Sequence, residues 1–196
     1  MTDERLERWL DELLDTPGLT AIENREDAYR VHVEGSLAAL PHVVRFGGSI
    51  VDVGSGGGSP GIPLAVALPD RRVTLLEANA RKAAFLDRFA AFFPNVDVVR
   101  GRAEEQDVDA YGVAVARALA PPPVAAEWCL PLVRPSGGAV LYVGPTADLE
   151  AVARVAAKVG GGKPELQDGV IVIPKMSPTP QGFPRRPGMA RKRPLS

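Results

Sequence analysis

The architecture of this 196-residue chain follows from one stretch, Val51-Asp52-Val53-Gly54-Ser55-Gly56-Gly57-Gly58-Ser59-Pro60-Gly61-Ile62-Pro63-Leu64. An apolar strand that carries one acid runs into a glycine-rich loop, and a helix follows Pro60. Glycines let the backbone approach a ligand closely, and the unpaired N–H groups at the start of a helix attract phosphates and nucleotides. The stretch therefore predicts a site for a nucleotide-like cofactor.

Two classes of cofactor use such a loop. A G-x-G-x-x-G pattern at Gly56, Gly58 and Gly61, with Glu77 further on, matches the dinucleotide fingerprint. Asp52 favours the other class, because an acid just before the first glycine is typical of the D-x-G-x-G loop of S-adenosylmethionine-dependent methyltransferases. A carboxylate suits a cationic sulfonium and repels a pyrophosphate. A glycine turn without any ligand would not need this many glycines.

The composition excludes several function classes. At 45% hydrophobic and 24% charged residues, the chain is typical of a soluble globular protein of one domain. Cys129 is the single cysteine and His32 and His42 are the two histidines, so neither an intrachain disulfide nor a zinc cluster is expected. No apolar run has the length of a membrane span, and the charged start is unlike a signal peptide. We expect a cytoplasmic protein with no metal and no membrane association.

Charge is distributed unevenly along the chain. Residues 1–174 hold 17 basic and 24 acidic side chains, whereas residues 175–196 hold no acid and six basic residues: Lys175, Arg185, Arg186, Arg191, Lys192 and Arg193. We interpret residues 175–196 as a basic, proline-rich C-terminal arm that meets a polyanion, with a merely solubilising tail as the alternative. The prolines of the arm predict an extended segment without a helix.

Hydrophobic periodicity predicts that strands alternate with helices. The predicted strands are 49–53, 72–76, 96–99, 112–116, 139–143 and 170–173, and the predicted helices are 4–14, 25–40, 62–68, one capped by Asn79, 123–132 and 147–159. This alternation is typical of an α/β, Rossmann-like, mostly parallel doubly wound sheet, whose ligands bind beyond the carboxyl ends of the strands. We expect a single domain at 1–174, with a Rossmann-like core at 46–174 and a short N-terminal helical appendage at 1–45.

Further phrases outside the loop resemble one known family. They are T-L-L-E at 74–77, R-K-A-A-F-L at 81–86, R-A-E-E at 102–105, A-R-A at 116–118 and P-R-R-P-G at 184–188. With the loop, they resemble the RsmG (GidB) family, whose members methylate N7 of a guanine in 16S ribosomal RNA. The resemblance implies a class I methyltransferase fold, S-adenosyl-L-methionine as cofactor, and 16S ribosomal RNA or the small ribosomal subunit as partner. The chain departs from residues usual in that family at Gly18, Gly35, Val143 and Asp168.

The resemblance also implies site residues. It assigns cofactor contacts to Gly54, Ser59, Ala103, Glu104 and Arg117, to which the loop itself adds Asp52 and Gly56. Glu77, at the end of the second strand, is expected to accept hydrogen bonds from the ribose hydroxyls. Arg117 could hold the methionine carboxylate or an RNA phosphate, and it is the one residue considered for a catalytic role. The expected RNA-binding residues are Arg102, Arg185, Arg186, Arg191, Lys192 and Arg193.

Three other functions remain open from the sequence. The first is a methyltransferase that acts on a small molecule, and the second is an RNA-binding protein whose catalysis has lapsed. The third is a nucleotide-binding oxidoreductase, which is disfavoured because no acid–base residue or substrate domain is evident. The shortage of histidine and cysteine does not argue against a methyltransferase, since attack by guanine N7 needs alignment and exclusion of water rather than a general base.

Overall fold

A seven-stranded sheet forms the centre of the protein. The computed structural model describes residues 3–144 and 146–195. The strands are β1 Ile50–Val53, β2 Val73–Glu77, β3 Val96–Arg100, β4 Tyr111–Arg117, β5 Val133–Tyr142, β6 Glu165–Gln167 and β7 Val170–Pro174. They lie in the order β3-β2-β1-β4-β5-β7-β6, and the first five run parallel to one another. The predicted mostly parallel, doubly wound sheet is therefore confirmed.

Helices cover both faces of the sheet. They are α1 Glu4–Asp15, α2 Arg25–Ala28, α3 Gly35–Leu37, α4 Leu40–Val43, α5 Gly61–Ala67, α6 Ala80–Ala90, α7 Pro122–Cys129, α8 Leu149–Lys158 and α9 Met189–Lys192. Apolar residues of α1, α5 and α6 form a core on one face, and those of α7 and α8 form a second core on the other. Because both faces are buried, the central strands are mostly apolar, which is why their sequence is easy to identify.

The far edge of the sheet is antiparallel and contains a strand that the sequence analysis missed. β7 pairs antiparallel with β5 and with the short β6. Asp168 and Gly169 join β6 to β7, and both have positive φ angles, 48° and 77°. An Asp-Gly pair with these angles is the favoured two-residue hairpin turn, so the sequence held the signal for β6.

The second predicted helix is not continuous. In place of one helix over 25–40, the structure has α2, a π-helical segment Tyr29–Glu34, α3 and α4. The π-helical spacing is visible in the hydrogen bond from Gly35 N to the carbonyl of Arg30, five residues earlier. Side chains elsewhere in the protein reach carbonyls of this segment, as Arg117 does at Val31. Contacts between residues so distant in sequence are not visible in the periodicity, and π-helical turns occur frequently at functional sites.

The first helix braces the glycine loop directly. Trp9 Nε1 donates a hydrogen bond of 2.8 Å to the carbonyl of Gly57, and the Trp9 side chain is fully buried. A Cβ atom on Gly57 would lie 2.3 Å from Leu13 Cδ1, so a larger residue here would force the Leu13 side chain to move. The N-terminal helices therefore share the core of the sheet and fix the shape of the loop.

The C-terminal segment lies on the body of the protein rather than extending from it. It contains the short helix α9, so the expectation of an arm without helix is wrong. Proline limits helices only near its own position, and 188–193 contains none. At the start of the segment, buried Lys175 donates hydrogen bonds to the carbonyls of Leu130 and Val159 and to Thr179 Oγ1. Lys175 is thus an anchor within the fold.

None of the helices in residues 3–144 and 146–195 combines the length and the apolar character needed to cross a lipid bilayer.

Candidate active site

A cavity of about 360 Å³ opens beyond the carboxyl ends of the central strands. We call it the strand-end cavity. Its lining is Val53, Gly54, Gly56, Leu76–Asn79, Lys82, Gly101–Glu104, Ala118, Leu119, Trp128 and Arg191. It therefore contains the predicted residues Gly54, Gly56, Glu77, Ala103 and Glu104 together. This is the end of the sheet at which doubly wound folds bind ligands, and the volume suits a small molecule.

Glu77 ties the glycine loop to the end of β2. Its Oε2 accepts a hydrogen bond of 2.9 Å from Gly56 N, and its Oε1 accepts one of 2.7 Å from Asn79 N. The side chain is buried yet borders the strand-end cavity. Each carboxylate oxygen has two acceptor sites, so both oxygens can accept one further bond from a ligand.

Asp52 lies behind the loop and not in the cavity. Its side chain is fully buried, and Oδ2 accepts a hydrogen bond of 2.9 Å from Gly61 N at the start of α5. Asp52 Oδ1 has no hydrogen-bond partner among the described residues. Burial, reinforced by the nearby charge of Glu77, raises the pKa of Asp52 to about 7. The expected direct contact between Asp52 and the cofactor is not the arrangement found, because this carboxylate shapes the loop from inside.

The buried position of Asp52 predicts a pH-dependent stability. A folded-state pKa of about 7, against 3.8 for the free side chain, means that the folded state binds the proton more tightly. Stability from this group is therefore fully present below pH 4 and is lost as the pH rises through 7. Between pH 5.5 and 8 we expect the free energy of unfolding to fall by about 2 kcal/mol from this group alone. Urea unfolding of the wild type and of Asp52→Asn at both pH values would measure it.

Comparison with the variant is needed because His32 acts in the opposite direction. Burial, with a smaller contribution from the Arg117 charge, lowers the pKa of His32 to about 4, so its contribution to stability is lost as the pH falls below its ordinary value of 6.5. His32 is present in both proteins and cancels in the difference. A difference between wild type and Asp52→Asn that is the same at pH 5.5 and 8 would contradict the assignment.

A second cavity, of about 280 Å³, lies on the N-terminal side of the loop. We call it the loop cavity. It is lined by Leu13, Leu19, His32, Gly54–Gly57, Ser59, Lys82, Arg117 and Ala118. Its walls thus come from the N-terminal helices, the glycine loop, α6 and the end of β4. Ser59 and Arg117, both predicted from the sequence, lie here and not in the strand-end cavity.

Arg117 joins three parts of the protein. Its Nη1 donates a hydrogen bond of 2.7 Å to the carbonyl of Val31 in the π segment and one of 3.2 Å to Ser59 Oγ in the loop. Ser36 Oγ lies 2.9 Å from Ser59 Oγ and completes the network. Burial lowers the pKa of Arg117, but arginine stays charged. A half-buried cation at the border of the loop cavity is suited to an anionic group.

The two cavities adjoin. Gly54, Gly56, Lys82 and Ala118 line both of them. Gly56 has a φ of 57°, and a Cβ placed there would have no neighbour closer than 3.9 Å, so this part of the loop borders open space. A ligand in the strand-end cavity and a second one in the loop cavity would therefore meet at the glycine loop.

The second half of the strand-end cavity is built by the turn after β3. Ala103 is buried in this turn, and Glu104 Oε1 accepts a hydrogen bond of 3.0 Å from Gly188 N of the C-terminal segment. Arg102 is exposed at the border of the cavity, with Nε 3.8 Å from Glu104 Oε2. The side chain of Glu104 is thus held by the fold, and the backbone of this turn remains as the surface offered to a ligand.

The predicted RNA-binding residues of the C-terminal segment fall into three groups. Arg185 forms a two-pronged ion pair with buried Glu127, at 2.6 and 2.7 Å, so its guanidinium is not available as an RNA contact as expected. Arg191 borders the strand-end cavity. The remaining three are exposed: Arg186, Lys192 and Arg193.

Sequence reasoning missed several residues of the two cavities. Lys82 lies in the phrase R-K-A-A-F-L at 81–86 but received no role, although it lines both cavities. Trp128 borders the strand-end cavity, whereas the neighbouring Cys129 is a fully buried core thiol. Leu119 follows Arg117 closely, so proximity to a predicted site residue was the available signal. No signal in the sequence indicated Trp128, because its run of apolar residues is indistinguishable from a run of core residues.

The residues of the strand-end cavity fit an adenosyl group. Glu77 offers free acceptor sites to a pair of hydroxyls, the turn at Ala103 offers a backbone edge, and Gly56 leaves room beside them. Within the described part of the chain, no three His, Cys, Asp or Glu side chains lie close enough together to hold a metal ion.

Comparison with known proteins identifies the family. The model of the family described as rRNA small subunit methyltransferase G (GidB) matches residues 3–161. Ribosomal RNA small subunit methyltransferase G of Moorella thermoacetica is 36% identical over 197 residues, covering 90% of this chain and 82% of that protein. The protein of the same name from Pelotomaculum thermopropionicum is 38% identical, with the same coverage of both chains.

A solved structure agrees at the level of the fold. The T. thermophilus 16S rRNA N2 G1207 methyltransferase, in complex with AdoMet and guanosine, superposes with a TM-score of 0.55 at 19% identity, over 78% of this chain and 41% of that one. The predicted class I methyltransferase fold is thereby confirmed. The chain belongs to the rRNA small subunit methyltransferase G family and is an S-adenosylmethionine-dependent methyltransferase.

Proposed function

We propose that this protein transfers a methyl group from S-adenosylmethionine to N7 of a guanine in 16S ribosomal RNA. The observation that carries the proposal is the pair of adjoining cavities, one with Glu77 and the turn at Ala103, the other with Arg117. The first suits an adenosyl group, and the second leaves space for a base. The names of the relatives support ribosomal RNA as the substrate. On this proposal the protein acts in the cytoplasm, where it meets ribosomal RNA.

The chemistry asks little of the protein beyond alignment. The cofactor supplies an electrophilic methyl group on a sulfonium. Guanine N7 carries a lone pair and no proton, so the carbon–sulfur bond breaks as the carbon–nitrogen bond forms, and the positive charge moves to the purine. The chain has to hold both partners in line and exclude water. Hydrogen bonds among Arg117, Ser59 and Ser36 hold these side chains in place at the wall of the loop cavity.

The test is a methylation assay with mapping of the modified base. The protein and radiolabelled S-adenosylmethionine are incubated with undermethylated small ribosomal subunits, with extracted ribosomal RNA, or with neither. We expect label in RNA at a guanine that is cleaved by the borohydride and aniline treatment specific for N7-methylguanosine. Glu77→Ala, which should bind the cofactor much more weakly, serves as the matched control protein.

Other outcomes either contradict a defined part of the proposal or specify the form of the RNA substrate. Label at a different atom of RNA would contradict N7 while leaving an RNA methyltransferase. Absence of label in every RNA sample, with S-adenosylhomocysteine still bound in calorimetry, would contradict RNA as the substrate. Equal labelling of subunits and extracted RNA would show that the RNA alone is recognised.

The exposed cations of the C-terminal segment should contribute to RNA affinity. Within residues 3–144 and 146–195, Arg186, Lys192 and Arg193 form no ion pair. Replacing all three with glutamine should weaken RNA binding about tenfold near 0.1 M salt. The variant neutralises fewer phosphates, so its binding releases fewer counterions from the RNA. The slope of log affinity against log salt concentration should shrink by about 2, measured by filter binding.

The matched control changes exposed cations elsewhere. Arg154 on α8 and Lys163 before β6 are both exposed and distant in sequence from the C-terminal segment. Replacing these two with glutamine should leave the salt dependence of RNA binding unchanged. If the triple variant behaves like this control, the C-terminal segment is not an RNA contact.

A further inference from the structure

The C-terminal segment spans the strand-end cavity. Gly188 N donates to Glu104 Oε1 on one wall, and Arg191 Nη2 donates a hydrogen bond of 3.1 Å to the carbonyl of Leu119 on another. Between these two contacts, Ala190 is 2% exposed. Glu104, Leu119 and Arg191 all line the cavity. A segment interpreted from sequence as a free basic arm is thus one wall of the site.

An ion pair holds this segment in place. Arg185 Nε and Nη2 donate to the two carboxylate oxygens of Glu127 at 2.6 and 2.7 Å, and Glu127 is 3% exposed. Two parallel charge-assisted bonds fix both distance and orientation. Glu127 belongs to α7, immediately before Trp128, so the same helix supplies the anchor and a cavity wall.

Arg191 and Trp128 form a composite surface beside the cavity. The guanidinium carbon of Arg191 lies 5.2 Å from the centroid of the Trp128 ring, a cation–π distance. The Trp128 side chain is otherwise buried, at 7% exposure. Trp128 thus supports Arg191 from below, and the exposed guanidinium offers a planar group with N–H donors to the cavity. Such donors suit a purine, which has acceptor nitrogens on its edge.

We propose that residues 185–191 complete the S-adenosylmethionine site, with Arg191 as a cofactor-binding residue against the adenosyl moiety and Arg185 as a positioning residue that acts through the segment. The basic residues at the C-terminus then have separate tasks: Arg185 and Arg191 serve the cofactor, whereas Arg186, Lys192 and Arg193 remain for RNA. The inference rests on the proposed function only through the cofactor, and it does not depend on the RNA or on the base that is methylated.

The test is calorimetric binding of S-adenosylhomocysteine without RNA. Arg191→Ala should weaken the affinity five- to tenfold, and Arg191→Lys, which keeps the charge without the planar donors, about threefold. Arg193→Ala is the matched control, since Arg193 lies two residues further on, is exposed and does not line the cavity. Its affinity for S-adenosylhomocysteine should stay within twofold of the wild type. If the affinity of Arg191→Ala for S-adenosylhomocysteine is within twofold of the wild-type value, the assignment of Arg191 is wrong.

A second measurement follows the segment itself and is independent of affinity. Trypsin can cleave after Arg185 and Lys192 in both the wild type and Arg191→Ala, whereas Pro187 and Pro194 block cleavage after Arg186 and Arg193. Saturating S-adenosylhomocysteine should slow cleavage at these sites at least fivefold in the wild type, and less than twofold in Arg191→Ala. Unchanged cleavage of the wild type would contradict the proposal. Failure of RNA methylation would not affect either readout, so the two proposals fail separately.

Discussion

Replacing Glu77 with alanine should weaken the binding of S-adenosylhomocysteine about 100-fold. Without the carboxylate, the ribose hydroxyls would lose two charge-assisted hydrogen bonds, and even one such bond contributes about 1.5–3 kcal/mol. The variant also loses the bonds from Gly56 N and Asn79 N that hold the glycine loop against β2. Glu77→Gln keeps one carbonyl acceptor, so its affinity for S-adenosylhomocysteine should lie between those of the wild type and Glu77→Ala, about tenfold below the wild type. Titration calorimetry measures both.

The control separates the ribose contact from general damage. Glu150, in the first turn of α8, is exposed, and Glu150→Ala should bind S-adenosylhomocysteine like the wild type. 5′-Methylthioadenosine, which keeps the ribose but lacks the amino-acid group, should lose as much affinity for Glu77→Ala as S-adenosylhomocysteine does. A folded Glu77→Ala protein with wild-type affinity would show that Glu77 has only a structural role.

Replacing Arg117 with alanine should lower the rate of RNA methylation about 100-fold. The guanidinium is expected to hold the carboxylate of the cofactor, and its loss also leaves the Val31 carbonyl without the donor at 2.7 Å. Misplacement of the reacting groups by a fraction of an ångström is enough to slow a reaction that depends on alignment. A radiometric assay under saturating RNA, together with calorimetry, separates rate from cofactor affinity.

Ligand truncation distinguishes the two roles considered for Arg117. If it holds the methionine carboxylate, Arg117→Ala should weaken S-adenosylhomocysteine at least tenfold and leave 5′-methylthioadenosine unaffected. Equal affinity of variant and wild type for both ligands, with a lower affinity for RNA, would assign Arg117 to a phosphate instead. Arg117→Lys keeps the charge but not the fork of donors, and its rate should lie between those of wild type and Arg117→Ala.

The local pattern of the sequence was sufficient for the central sheet and for the residues at its end. Strands buried on both faces are mostly apolar, and a glycine loop between a strand and a helix has few other uses, so β1 to β5 and the region of Glu77 could be located from short stretches alone. The same local logic located Gly54 and Gly56, because turns and close approach to a ligand demand glycine.

The local sequence pattern does not determine side-chain orientation. Asp52 precedes the first glycine, as in a loop whose acid faces the cofactor, but in the fold its carboxylate lies in the core. Burial raises its pKa there, and its Oδ2 accepts from Gly61 N at the start of α5. The break in the predicted helix at 25–40 has a similar origin. Donors from β4 and the glycine loop reach the carbonyls of Val31 and His32, and they are distant from these residues in sequence.

The C-terminal segment is the clearest example of a feature that composition and periodicity do not determine. Its composition, basic and rich in proline, determines charge but not position, and it predicted an extended arm that meets a polyanion. A single buried acid, Glu127, selects Arg185 from six basic residues, and a single tryptophan, Trp128, selects Arg191. Composition and periodicity report what each segment can form by itself. Which of several identical charges is paired depends on partners brought together only when α7 packs against the sheet, so it is a property of the tertiary structure.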